Sequence, residues 1–196
     1  NLLNRYFTPM TEIIFEQQGT IDKYVGDMIM AFWGAPLDDP NQKEHAVTAA
    51  LLMLKRMEAL REEFRAAGYP EIYAGIGLNT GMMNVGDMGS SYRRAYTVLG
   101  DAVNLGSRLE SITKFYGASC LVSENTREGL EDKFIWREAD FIIVKGKKEP
   151  IRVYEPLATS AEADEAVLRH VKHYEMARQA YLARHWEEAY TLFSDL

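Results

Sequence analysis

The chain has 196 residues, enough for one sizeable domain with a small appendage, and its 29 acidic and 22 basic residues give a net charge of −7. A general nucleic-acid-binding protein needs a basic face, so this balance argues against that class. The single cysteine, Cys120, excludes an internal disulfide and is typical of a reducing compartment, and the chain contains no apolar run long enough to span a membrane.

The first predicted elements are an amphipathic helix and a β-hairpin. Residues 2–18 carry apolar residues at helical spacing, and Gly19 ends that helix. Two runs rich in apolar and aromatic residues then flank Gly26 and Asp27, which form a favourable turn pair. The second run has almost no polar face, which predicts a strand covered on both sides. Asp27 is either a plain turn residue or a carboxylate that holds a cation at the strand tip.

A long helix and two strands follow the hairpin. Residues 38–40 (Asp-Asp-Pro) predict a helix start, and the apolar residues after them are spaced for one buried helix face. Residues 71–80 and 82–87 predict strands. Gly75 and Gly77 lie inside the first of these strands and lack the spacing of a dinucleotide-binding fingerprint. We therefore expect these glycines to let another element approach the strand closely.

The next helix carries two polar residues on one face. Residues 96–100 predict a short strand, and a helix is expected from Asp101 to about Tyr116. Asn104 and Arg108 are four residues apart, so they share a face that points away from the apolar positions. Such residues are usually only solvated, and the local pattern alone assigns them no chemistry.

The order of elements predicts the fold class. Further strands are predicted at residues 119–122, 134–144 and 151–154. Strands and helices alternate without regular βαβ spacing, which favours an α+β fold with a mostly antiparallel sheet flanked by helices. We expect this domain to comprise residues 1–157, followed by a polar linker at 158–165. Residues 166–196 predict a short helical hairpin similar to a tetratricopeptide unit.

Several ordered motifs together resemble the catalytic domain of class III nucleotidyl cyclases. They are residues 20–27 (TIDKYVGD), 79–81 (NTG), 96–104 (YTVLGDAVN) with Arg108, and 144–147 (VKGK). The resemblance covers about residues 2–157 and is specific because the motifs occur together in the family's order. Within the family, the chain is most similar to bacterial adenylate cyclases with Thr at the second purine-reading position. It implies a ferredoxin-like cyclase fold and a signalling enzyme that converts ATP to 3′,5′-cyclic AMP and pyrophosphate.

The resemblance identifies Lys23 and Thr97 as the pair that reads the purine. Adenine presents an acceptor at N1 and a donor at its 6-amino group, whereas guanine has a donor at N1. A lysine can only donate, while a threonine hydroxyl can accept. The pair therefore favours adenine over guanine, because guanine would leave polar groups unpaired.

The resemblance also implies residues for the ribose, the phosphates and the metal. Asn104 matches the residue that orients the ribose, and Arg108 matches the one that stabilises charge on the α-phosphate. Lys145 matches the lysine that binds the terminal phosphates, and Arg93, or its neighbour in the same loop, is a looser candidate for that role. Asp27 matches the second of two aspartates that bind two divalent cations, Mg²⁺ or Mn²⁺.

In this family the metal aspartates come from one subunit and the purine-reading and transition-state residues from the other. The resemblance therefore implies a head-to-tail homodimer with two composite sites. The family's first metal aspartate lies ahead of the opening helix, in a segment that the given sequence does not contain. We expect the chain to be a poorly active fragment of an active cyclase, cytoplasmic in its catalytic domain, whose upstream part could carry a membrane anchor.

Two other functions compete with adenylate cyclase activity. One is a catalytically inactive cyclase-homology module that dimerises or senses nucleotides, which has no chemical need for the whole residue set. The other is guanylate cyclase activity, which Lys23 disfavours because it would face the donor at guanine N1.

Overall fold

A computed structural model describes residues 2–143 and 149–196 as a mixed helix-and-sheet fold. The helices are α1 (Leu2–Glu16), α2 (Gln42–Ala66), α3 (Asp101–Ile112), α4 (Glu124–Arg127), α5 (Glu165–Leu182) and α6 (Trp186–Ser194). The strands are β1 (Thr20–Val25), β2 (Met28–Phe32), β3 (Ile76–Leu78), β4 (Asn84–Gly89), β5 (Arg94–Leu99), β6 (Cys120–Ser123), β7 (Phe134–Ile142) and β8 (Ile151–Thr159). One 3-10 turn, Thr113–Tyr116, follows α3 directly.

The described strands pair in three sheets. β1 and β2 form an antiparallel hairpin, β4 and β5 form a second antiparallel pair, and four strands pair in the order β3-β6-β8-β7. Within the described part of the chain, only β3 and β6 pair in parallel, so the predicted α+β fold with a mostly antiparallel sheet is confirmed. The strand predicted at 71–80 is limited to the three residues that pair with β6.

Helices cover both faces of the four-stranded sheet. Side chains alternate along β6, so Leu121 packs with Leu105 and Leu109 of α3. Val122 points to the other face and packs with Ala50 of α2, whose predicted apolar stripe is buried. The core of the domain thus lies in two layers, one on each face of the sheet. Met10 of α1 packs against α2 and adds to the layer on that side.

The approach of α3 to β3 is as close as glycine permits. A Cβ atom built on Gly77 would lie 2.1 Å from the carbonyl oxygen of Gly106 and 2.3 Å from the backbone nitrogen of Glu110. A Cβ atom on Gly75 would lie 2.5 Å from Thr113 Oγ1. The expected role of these glycines is confirmed, and their contact fixes the height of α3 above the sheet.

The C-terminal helices pack on each other and on β7. Ring pairs join the two helices, Tyr174 with Phe193 and Tyr181 with Trp186. The side chain of Asp164 caps α5 by accepting a hydrogen bond from a backbone N–H of its first turn, at 2.8 Å. β8 continues to Thr159, two residues into the segment predicted as a linker. The helical hairpin is present as predicted, and its status as a separate unit stays a prediction.

We predict that Gly77→Ala destabilises the fold, because the added methyl group meets backbone atoms of α3 that cannot turn away. Overpacking of this kind costs roughly 1–3 kcal/mol, and we expect the upper end of that range in the free energy of unfolding. Urea denaturation measures it. Gly86→Ala is the matched control, since a Cβ there meets nothing within 4 Å. Equal effects of the two substitutions would contradict the close packing of α3 on β3.

Candidate active site

The hairpin β1-β2 places Asp27 in a two-residue turn. Val25 pairs with Met28, and Gly26 adopts φ +64°, which a type II′ turn needs at its first central position. Asp27 is exposed to solvent. The predicted turn is confirmed, but the expectation that β2 is covered on both sides is wrong for the chain by itself, since Met28 is 40% exposed. Among the described strands the hairpin forms its own two-stranded sheet, so none of them adds to it by backbone hydrogen bonds.

The surroundings of Asp27 fit a single metal ligand. Burial raises the pKa of the Tyr6 hydroxyl on α1, and the negative charge of Asp27 raises it further. No group of three or more His, Cys, Asp or Glu side chains that could hold a metal ion occurs in residues 2–143 and 149–196. Mg²⁺ is commonly held by one or two carboxylates together with substrate phosphates and water, and Asp27 suits that mode.

A β-bulge interrupts β1 beside Lys23, which the sequence predicts to read the purine. Ile21 pairs with Ala31 and Lys23 with Met30, so Asp22 is an extra residue that opposes no partner. Bulges re-aim side chains that regular alternation would place on opposite faces. Here the Lys23 ammonium lies 3.6 Å from Asp22 Oδ2, while the Asp22 side chain is only 1% exposed.

Thr97 of β5 reaches the same carboxylate oxygen. Its hydroxyl donates a hydrogen bond to Asp22 Oδ2 at 3.0 Å, and the residue is buried. Lys23 and Thr97, which belong to different sheets, are therefore brought together by Asp22. The other oxygen, Asp22 Oδ1, is buried and has no hydrogen-bond partner in the part of the chain that the structure describes. Asp22 was not predicted as a site residue, and its only signal in the sequence was an acidic residue next to Lys23 in a predicted strand.

α3 presents Asn104 and Arg108 as predicted. Leu105 and Leu109 are buried toward the sheet, whereas Asn104 is exposed. Arg108 Nη1 is buried, and no described residue accepts a hydrogen bond from it. A guanidinium nitrogen buried in this way is a donor available for an anion that enters from outside the chain.

Asn79 ties the start of α3 to the sheet. Its side-chain nitrogen donates to the carbonyl oxygen of Ala102 at 2.9 Å, and its oxygen accepts from the Ser123 hydroxyl at 2.7 Å. The motif at residues 79–81 therefore positions the helix that carries Asn104. The motif is visible in the sequence, but this contact was not predicted from it.

The two predicted phosphate-binding side chains lie apart from this framework. Arg93 is exposed in the tight turn between β4 and β5, where its backbone N–H donates to the Ser90 hydroxyl oxygen at 3.3 Å. Lys145 lies at 144–148, outside the described residues. Its proposed role thus stays a prediction.

Comparison with known proteins places the whole framework in one family. The sequence model of the adenylate and guanylate cyclase catalytic domain matches residues 1–155. The chain belongs to this family. It is 36% identical over 154 residues to adenylate cyclase 1 of Rhizobium meliloti, an alignment that covers 79% of this chain and 23% of that protein.

Solved structures of the family have the same fold. The adenylyl cyclase CyaB from P. aeruginosa is 35% identical with a TM-score of 0.74, covering 83% of this chain and 84% of that one. The guanylyl cyclase Cya2 is 30% identical with a TM-score of 0.76, covering 83% and 82%. Relatives named for either purine nucleotide thus share the fold, so the choice of base has to be argued from the site.

The chain spans less than a third of the length of the curated relatives that it matches. Among the helices of the described residues, none is both long and apolar enough to cross a membrane.

We predict that Arg108→Met weakens the binding of inorganic triphosphate about tenfold or more, because a charge-assisted hydrogen-bond donor is lost. The free energy of unfolding should stay within about 1 kcal/mol of wild type, since Nη1 has no acceptor in the described chain. Isothermal titration calorimetry and urea denaturation measure the two quantities. Arg169→Met, on the exposed side of α5, is the control. Unchanged affinity in the Arg108 variant would contradict an anion site there.

Proposed function

We propose that this protein is an adenylate cyclase that converts ATP to 3′,5′-cyclic AMP and pyrophosphate. The observation that carries the proposal is the convergence of Lys23 and Thr97 on one buried carboxylate. An ammonium donor beside a hydroxyl acceptor complements adenine, which accepts at N1 and donates from its 6-amino group. Membership of the cyclase family supplies the reaction class.

The residues of α3 suit the reacting part of the nucleotide. The ribose 3′-oxygen attacks the α-phosphorus, and pyrophosphate leaves. Asn104, exposed on the outer face of α3, orients the ribose by hydrogen bonding. Arg108 offers its Nη1, which is buried and has no acceptor among the described residues, to the α-phosphate, where negative charge rises as the bonds change. Donors that are fixed in advance contribute to catalysis because they need no reorganisation during the reaction.

Asp27 and the predicted basic residues complete the site. Asp27 would hold divalent cations of the Mg²⁺ or Mn²⁺ type, which the family generally uses. Such cations, when bound, stabilise negative charge on the attacking and leaving oxygens. Lys145 and Arg93 would bind the terminal phosphates through their positive charge.

We also propose that the enzyme is a head-to-tail homodimer whose two sites each take residues from both chains. Exposed apolar side chains on both two-stranded sheets support an interface. Tyr24, Val25 and Met28 are 46%, 52% and 40% exposed on the hairpin. Val85 and Leu99 are 37% and 53% exposed on β4 and β5. Apolar surface of this kind is commonly covered by a partner.

A role in signalling and a cytoplasmic catalytic domain stay predictions. The second rests on the presence of a single cysteine, which is typical of a reducing compartment. The Cys120 thiol is buried, and burial raises its pKa, as expected of an inert packing residue.

Guanylate cyclase activity is the second candidate, because the guanylyl cyclase Cya2 shares the fold. The donor at guanine N1 would face the Lys23 ammonium, so the site disfavours it. An inactive homology module is disfavoured by the presence of Asn104 and Arg108 beside the base-reading pair, since a module without turnover has no chemical need for the whole set.

Cyclic nucleotide formation by the full-length protein, with Mg²⁺ or Mn²⁺ and either ATP or GTP, tests the proposal. We expect cyclic AMP from ATP, and a kcat/KM for GTP that is lower by about a hundredfold or more. Asp27→Ala should abolish turnover while leaving the unfolding transition unchanged, because its carboxylate is exposed in a turn. Asp132→Ala, another exposed carboxylate in a turn, is the matched control.

Three results would contradict the proposal. Preferential formation of cyclic GMP would favour the second candidate. Nucleotide binding without turnover would favour an inactive module. Full activity of the Asp27 variant would remove that residue from the metal site.

A further inference from the structure

We propose that Asp22 is a positioning residue that sets base specificity by forcing the Thr97 hydroxyl to act as an acceptor toward the purine. The inference rests on the proposed adenylate cyclase function and adds a residue to it. Asp22 belongs to the bulge of β1 and is adjacent to Lys23.

The direction of the hydrogen bond is fixed by chemistry. An ionised carboxylate can only accept, so the 3.0 Å contact between Thr97 Oγ1 and Asp22 Oδ2 uses the single hydroxyl proton of Thr97. The threonine oxygen then has only lone pairs left for a ligand. A hydroxyl held in this way accepts from the 6-amino group of adenine and cannot donate to the 6-oxygen of guanine.

The bulge brings the carboxylate to this position. In a regular strand, Asp22 and Lys23 would point to opposite faces of the hairpin. The extra residue lets both side chains turn to the same place, where the ammonium lies 3.6 Å from Oδ2. One carboxylate oxygen therefore orients both groups that face the base.

Burial of Asp22 has a cost that packing does not explain. Its side chain is 1% exposed, and Oδ1 has no hydrogen-bond partner among residues 2–143 and 149–196. An apolar residue or an asparagine would fill the same space with less desolvation of charge. A carboxylate has one property that these alternatives lack, which is that it accepts hydrogen bonds and never donates one.

Asp22→Asn tests this inference because it keeps the shape and adds a donor. The asparagine nitrogen can donate to Thr97 Oγ1, which frees the hydroxyl proton to point toward guanine O6. We expect the ratio of kcat/KM for ATP to that for GTP to fall about tenfold or more in the full-length protein. Asp132→Asn, an exposed carboxylate far along the chain, should leave the ratio unchanged.

A double-mutant cycle with Thr97→Val separates positioning from a merely structural role. In the Thr97→Val background, Asp22→Asn should change the nucleotide ratio by less than about twofold, because the hydroxyl through which it acts is gone. If Asp22 had only a structural role, Asp22→Asn would instead lower the melting temperature, and it would lower kcat/KM equally for ATP and GTP. An unchanged ratio in Asp22→Asn, or an equal change with and without the hydroxyl, would overturn the inference.

Calorimetric titration of ATP and GTP into the four proteins of the cycle (wild type, the two single variants and the double variant) measures binding and is therefore independent of turnover. If the wild type binds ATP over GTP but forms no cyclic AMP, the proposed activity fails. The inference about Asp22 is then supported if Asp22→Asn lowers the ratio of ATP affinity to GTP affinity, and it is overturned if that ratio is unchanged. If the wild type discriminates between the nucleotides in neither assay, both proposals are overturned.

Discussion

The buried carboxylate of Asp22 is the contact on which the arrangement of this site depends. It accepts a hydrogen bond from Thr97 across two sheets that do not pair with each other, and it holds the Lys23 ammonium within 3.6 Å. Charge-assisted contacts of this kind are stronger and more directional than neutral hydrogen bonds. The relative position of the hairpin and β5 thereby determines how the Lys23 ammonium and the Thr97 hydroxyl lie with respect to each other, and these are the two groups that we propose to face the base.

A second constraint positions α3, the helix that carries Asn104 and Arg108. Gly77 allows α3 to lie against β3 at a distance that no larger residue would tolerate, and Asn79 ties its first turn to β6 through Ser123. Leu105 and Leu109 then face the core, and Asn104 and Arg108 lie on a different face, where Asn104 is exposed and Arg108 is partly buried. Packing on one face of α3 thus determines which polar groups are available on the other.

Helical periodicity was enough to predict the face of Asn104 and Arg108, and the Gly-Asp pair was enough to predict the hairpin turn. The strand at 71–80 was predicted too long, because strand propensity does not show how many residues find a pairing partner. The role of Asp22 could not be predicted from the sequence, since regular alternation places its side chain on the other face of β1 from Lys23. The bulge that brings the two side chains together leaves no recognisable pattern in a single sequence. Burial of the hairpin was overestimated because a single chain leaves its faces open.

Purine riboside triphosphate, which lacks the 6-amino group of adenine, tests whether Thr97 accepts a hydrogen bond from that group. With the wild-type protein, kcat/KM for this analogue should be about tenfold or more below that for ATP, because a buried acceptor is left unpaired. With Thr97→Val, the kcat/KM values for the analogue and for ATP should be nearly equal. Equal kcat/KM values for the two substrates in the wild type would show that Thr97 does not accept a hydrogen bond from the 6-amino group.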